Sequence, residues 1–209
     1  PLEIFQVWLN LPKASKMVDP HFKMLWNEDI PVINHKDEAN KTTTVDIIAG
    51  KINTINALDP TPDSWAANPN NSVGVYTVKM EAGAQWTLPK TSSEANRSVF
   101  FYKGSTIKIE GQTIAANHFI ELEAGENIAL QNGNTEAYFL ILEGNPIGET
   151  VAQHGPFVMN TQQEIREAMS DYGKTQFGGW PWGEKEVVHS REKGRFASHS
   201  NGKEEIKNS

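Results

Sequence analysis

The sequence has 209 residues, 38% of them hydrophobic and 22% charged, with a net charge of -7 and no cysteine. That is enough chain to bury one core and carry an appendage, while the missing thiols exclude disulfides, thiolate catalysis and zinc-cysteine sites. The acidic balance speaks against direct contact with nucleic acid, and no apolar run approaches the roughly 18 to 20 residues that cross a bilayer, so the expected setting is cytoplasmic, without a membrane partner.

The opening stretch "PLEIFQVWLNLP" lacks the charged start and cleavage site of a secretory signal. From Ile4 to Leu11 it alternates, with Phe5, Val7, Leu9 and Leu11 on one face and Ile4, Gln6, Trp8 and Asn10 on the other, the period of a strand. A face mixing polar groups with a Trp either meets water or lines a cavity, so Gln6, Trp8 and Asn10 are candidate pocket residues. The segment "MLWNEDIPVINHKDEANK" has Pro31, a charge cluster and little periodicity, and reads as a connector.

From Thr42 onward β-prone runs recur every 8 to 12 residues or so: "TTVDIIAG", "VGVYTVKM", "AQWTLP", "SVFFYKG", "TIKIEG", "HFIELEAG", "NIALQNG" and "AYFLILEG". Gly104, Gly111, Gly125 and Gly133 fall between them, where tight turns call for positive φ. The pattern predicts an all-β fold, a jelly-roll barrel or sandwich. "ALDPTPDSWAANPNNS" has Pro60, Pro62 and Pro69 and is expected to be a long surface loop.

A helical arm follows. Thr161 and Glu164 have the spacing of a capping box; Ile165, Ala168, Met169 and Tyr172 form one apolar stripe to lay on the barrel, and Gly173 is the expected stop. In "FGGWPW", Phe177, Trp180 and Trp182 are expected to anchor the arm in an apolar groove. The tail from Gly183 is polar, its last ten residues expected to be disordered.

A small jelly roll invites comparison with the cupin metal site, where three His and one carboxylate converge on a divalent ion. Counting from Gly83, Pro89 and Thr91 stand where a His-x-His pair belongs; Glu94 has no imidazole beside it, and Gly104 stands as the closing Gly. In the second motif His118 precedes the strand, and Ile120 and Leu122 hold the ligand region. His21, His35, His118, His154, His189 and His199 never fall in His-x-His or i, i+4 pairs. No metal, cofactor or catalytic residue is therefore assigned in this chain. Serine-elbow and phosphate-loop motifs are also missing.

"FQVWLNLPKASKMVDPHF", "GNPIGETVAQHGPFVMNTQQEIREAMSDYGKTQFGGWPW" and "GRFASH" together resemble pirin-like proteins, the first at the end of their N-terminal domain and the others in their C-terminal arm. The resemblance implies a bicupin, two barrels of which the first holds iron or another divalent metal through an upstream His-x-His and His-x-Glu, and the second is usually metal-free. Neither upstream motif is in this sequence. The implied division is residues 1–20, last strand of the N-terminal cupin; 21–41, linker; 42–145, C-terminal metal-free cupin; 146–182, helix and Trp-rich arm; 183–209, polar and partly disordered tail. The complete protein is expected to be a quercetin 2,3-dioxygenase-type oxidoreductase acting on a flavonol-like molecule, or a redox-sensing cupin, with this chain alone inactive. The other expectation is a non-enzymatic protein-binding or transcription co-regulator module. A missing N-terminal fragment or a second copy is expected to pair with the first strand.

Overall fold

The computed structural model describes residues 2–180, 182–183 and 189–207. It divides into two units, one of Pro1–Ser15 with Leu25–Gly148, the other of Lys16–Met24 with Glu149–Ser209.

In the first unit the strands in chain order are β1 (Val32–Lys36), β2 (Thr42–Ala49), β3 (Lys51–Ile52), β4 (Ile55–Asn56), β5 (Gly74–Met80), β6 (Gln85–Leu88), β7 (Asn96–Lys103), β8 (Thr106–Ile109), β9 (Gln112–Ala115), β10 (His118–Glu123), β11 (Ile128–Asn132) and β12 (Ala137–Gly144). One sheet runs β1-β2-β5-β12-β7-β10 and a second β6-β11-β8-β9, with β3 and β4 a small separate hairpin. All eight runs expected from the sequence are strands, because each alternates β-branched or aromatic residues inward. Val45 and Ile47, Tyr76, Val78 and Met80, Val99 and Phe101, and Phe139 and Ile141 make the core between the sheets with Leu88, Ile107 and Leu130. At its centre Phe101 and Phe139 stack with ring centroids 4.7 Å apart.

Two expectations need correction here. The segment read as a connector supplies β1, which pairs antiparallel with β2 from Val32 opposite Asp46 to Lys36 opposite Thr42; only Ile33 of it turns toward the core, so an edge strand left almost no apolar signature. Of the four turn glycines, Gly104 and Gly111 have positive φ but Gly125 and Gly133 do not. Those two are needed for space: a Cβ would lie 2.9 Å from the Ser93 Cβ and 2.6 Å from the Thr106 Oγ1, respectively.

The expected strand Ile4–Leu11 is not part of any sheet. It keeps the alternation all the same. Phe5 and Val7 are 40% and 41% exposed, against 73% for Ile4 and 63% for Trp8. One side leans on the first unit, where the Phe5 ring meets Tyr102 edge-on at 5.0 Å and the Tyr102 hydroxyl donates to Glu3 at 3.1 Å. On the other side Ile4 and Trp8 are exposed.

The second unit contains β13 (Ala152–His154), β14 (Phe157–Met159), α1 (Gln162–Thr175), β15 (Arg195–Ser198) and β16 (Glu204–Lys207). The capping box forms in full: Thr161 Oγ1 accepts from the Glu164 N–H at 3.2 Å and Glu164 Oε2 from the Thr161 N–H at 2.9 Å. Ile165 and Ala168 are buried, and the strands that α1 meets are β13 and β14; burying the Ile alone contributes about 1.5–3 kcal/mol. Met169 and Tyr172 are half-exposed, so the stripe is narrower than its spacing suggests. The helix runs past Gly173 to Thr175 and ends on Gln176 in the left-handed region at φ 52°. Phe177 packs edge-on against Tyr172 and Phe157, and Trp180 and Trp182 pack on each other at 4.7 Å; all three stay near half-exposed rather than sunk in a groove. The tail is also more ordered than its composition suggests. β15 and β16 pair from Arg195 opposite Lys207, tied by Lys193 to Glu204 at 2.6 Å and His199 to Glu205 at 3.0 Å. Residues 184–188, 208 and 209 of that tail lie outside the described residues. No helix among the described residues is long and apolar enough to cross a membrane.

Candidate functional site

β12 lies between β5 and β7, and its Glu143 stands opposite Gly74 on one neighbour and Arg97 on the other. Strand alternation brings the charges inward: Arg97 shares a face with Val99 and Phe101, and Glu143 with Phe139 and Ile141. The Arg97 Nε donates to the Glu143 Oε2 at 2.8 Å, with the two side chains 0% and 5% exposed. The rest of the guanidinium donates to the Pro89 carbonyl at 2.7 Å and the Glu126 carbonyl at 3.3 Å. Ions so desolvated persist when they are paired and hydrogen-bonded, as these are.

Tyr76 completes the cluster. Its hydroxyl lies 3.0 Å from both the Glu143 Oε1 and the Lys51 carbonyl, and its single proton serves one acceptor at a time. The ring reaches Glu143 because residue 74 is glycine: a Cβ there would be 2.2 Å from the hydroxyl oxygen. Burial, then the neighbouring Glu143 carboxylate, raises the Tyr76 pKa well above the ordinary phenol value, which favours the neutral hydroxyl.

Glu143 and Tyr76 open on a cavity of about 330 Å³. Its polar lining includes Lys51, Asp59 and Thr91; Leu58, Pro60, Ala66 and Pro69 form much of its apolar wall. The wall comes from the proline-rich stretch expected to be a surface loop, which is tightly braced. Trp65 Nε1 donates to the Asn145 carbonyl at 2.8 Å, Asn71 Nδ2 to the Trp65 carbonyl at 2.8 Å, and the Asn145 N–H to the Asn71 carbonyl at 2.7 Å. Ser64 and Asn68 cap two short 3-10 turns within it. The sequence reading missed this site. The available signal was Arg97 and Glu143 occupying inward positions of otherwise apolar alternating strands.

The candidate pocket residues of the opening segment lie elsewhere. Gln6 and Trp8 are exposed and Asn10 is half-buried; none of them lines the cavity. At the compared metal positions, Thr91 lines the cavity, Pro89 receives Arg97 through its carbonyl, and Ile120 and Leu122 pack against the core. Glu94 is exposed. His118 is the first residue of β10 and exposed, its Nδ1 2.9 Å from the Ala115 carbonyl. Among the described residues no three His, Asp or Glu are grouped to hold a metal ion. The side chains at these barrel positions do not fit a divalent metal.

Residues 75–178, which include every strand from β6 to β14 and the whole of α1, match the family model of the pirin C-terminal cupin domain. The chain belongs to the pirin-like family. Pirin-1 of Arabidopsis thaliana is 31% identical over 175 residues, covering 83% of this chain and 57% of that protein. Human pirin is 29% identical over 184 residues, 85% of this chain and 58% of its own length. Among solved structures, a quercetin 2,3-dioxygenase from Acinetobacter baumannii superposes with a TM-score of 0.68 at 26% identity, over 82% of this chain and 55% of that one. The fold of this pirin-like chain is thus an all-β cupin with a C-terminal helix, as its resemblance implied. It spans little more than half the length of these relatives.

Proposed function

We propose that this chain supplies the second barrel and helical arm of a longer bicupin whose complete form is a metal-dependent, quercetin 2,3-dioxygenase-type oxidoreductase. The observation that carries the reading is the likeness to the Acinetobacter baumannii dioxygenase over 82% of this chain. Iron or another divalent metal is then held in an upstream barrel, because the barrel positions compared above present Thr91, Ile120 and Leu122 instead of imidazoles. The side of the opening segment on which Ile4 and Trp8 are exposed is where that upstream chain or a second copy packs, and Gln6, Trp8 and Asn10 border its pocket. Exposed apolar side chains of this kind favour association.

Three measurements test this. Anaerobically metal-loaded complete protein consumes dioxygen with a flavonol, whereas the 209-residue chain does not; turnover by the chain alone overturns the reading. Substituting Gln6 and Trp8 in the complete protein alters turnover or flavonol affinity, and unchanged kinetics removes them from the pocket. Light scattering on the chain alone detects self-association; a clean monomer argues against a second copy packing there.

A second reading is a non-enzymatic binding module, such as a transcription co-regulator, favoured by Trp180 and Trp182 standing half-exposed beside each other. Paired aromatics of this kind are common anchors at protein interfaces. Deleting residues 161–182 then abolishes partner capture by the complete protein; capture that survives the deletion counts against it.

A further inference from the structure

The cavity beside Glu143 belongs to the barrel without a metal ligand set, so what it does is separate from any dioxygenase chemistry. We propose that it is a binding site for a small neutral ring compound bearing hydroxyl donors, held by the Glu143 carboxylate and the Tyr76 hydroxyl against the wall of Leu58, Pro60, Ala66 and Pro69.

The charge inventory selects a neutral ligand. Glu143 is already neutralised by Arg97 at 2.8 Å, and the other charged lining residues, Lys51 and Asp59, are of opposite sign. An anion meets two carboxylates here. A cation gains no unmatched counter-charge to offset its desolvation. Hydrogen-bond capacity selects hydroxyl donors. Each Glu143 oxygen accepts one bond from the protein, Oε1 from Tyr76 and Oε2 from Arg97, and a carboxylate oxygen has room for a second. The Tyr76 oxygen has only one proton for two acceptors, and a ligand hydroxyl that donates to Glu143 accepts that proton's hydrogen bond on its own oxygen. At Glu143 and Tyr76 the open acceptor positions therefore outnumber the donors.

Volume and wall fix the size. A cavity of about 330 Å³ stands at the small end of ligand sites, roughly 300–1,000 Å³, and suits a single ring. The loop forming the wall is held in place by the Trp65, Asn71 and Asn145 hydrogen bonds, so little ordering remains to oppose binding.

The test is a titration of the isotopically labelled chain with phenol and, separately, with myo-inositol, following the Trp65 indole N–H resonance. Benzoate and benzylammonium serve as charged controls. A saturable shift with phenol assigns the site to phenolic rings, and one with myo-inositol assigns it to cyclic polyols. Tyr76→Phe weakens that binding about tenfold, the loss of one hydrogen bond. Ala67→Trp, placed on the exposed loop so that the barrel still folds, fills the cavity and abolishes it. The proposal is overturned if neither neutral probe gives a saturable shift, if a charged control binds as well, or if binding survives Ala67→Trp in a folded variant.

Discussion

Arg97 and Glu143 face each other across the β7–β12 ladder, Nε 2.8 Å from Oε2, in an interior that water scarcely reaches. Their geometry predicts an asymmetry between breaking the pair and replacing it. Arg97→Met alone leaves a buried carboxylate with only the Tyr76 hydroxyl beside it, at an expected cost of about 3–5 kcal/mol. Adding Glu143→Leu restores most of that loss, because two apolar side chains of similar volume need no partner. Urea denaturation of the two variants measures the difference; equal stabilities contradict the assignment.

Asp37 ties the β1–β2 turn to the other sheet. Its carboxylate accepts the Lys41 N–H and, across the gap, the Gln85 N–H, both at 2.8 Å. These two bonds, Lys41 first, hold its pKa below the ordinary carboxylate value. A depressed folded pKa means the contribution is complete above the unfolded value of about 3.9 and is lost as pH falls through the lower folded one. A carboxyl-carbon NMR titration shows Asp37 titrating below ordinary Asp, and Asp37→Asn removes this part of the acid sensitivity. A carboxyl that titrates normally sinks the idea.

At the start of α1, Thr161→Ala removes the acceptor for the Glu164 N–H and destabilises the second unit by about 1 kcal/mol. Thr161→Ser keeps the oxygen and costs far less. Amide exchange of Gln163 and Glu164 reports the change directly.

The two sides of the opening segment respond differently in the chain as it stands. Phe5→Ala deletes the edge-on contact with Tyr102 and accelerates amide exchange over residues 3–9. Trp8→Ala, at an exposed position, leaves exchange and stability within about 0.5 kcal/mol of the parent. The reverse order shows that the faces are misassigned.

The barrel strands were legible in the sequence because their inward residues are β-branched or aromatic and their outward ones polar, as in Val45, Ile47, Val99 and Phe101. β1 was not, since a strand with one core-facing residue has no amphipathic period to detect. The β15–β16 hairpin was hidden for a different reason: its cross-links are charged pairs such as Lys193 with Glu204, and composition reads those as a solvated tail. The family was legible in the arm, where long stretches carry the resemblance. The cavity was illegible because its lining spans Gly50 to Glu143, and nothing local announces that Thr91 and Glu143 meet one space. Arg97 and Glu143 were nonetheless visible as inward charges on apolar strands, and a buried cation implies a buried partner.

Gly74 has no side chain to contribute, yet it fixes where a phenol ring lies and hence which oxygen of Glu143 that ring can reach. Drift at position 74 would therefore be felt at 76, 97 and 143 together, and a lineage altering one of the four must pass through a damaged intermediate or change several at once. Positions dispersed over 70 residues of chain thus behave, for inheritance, as a single locus.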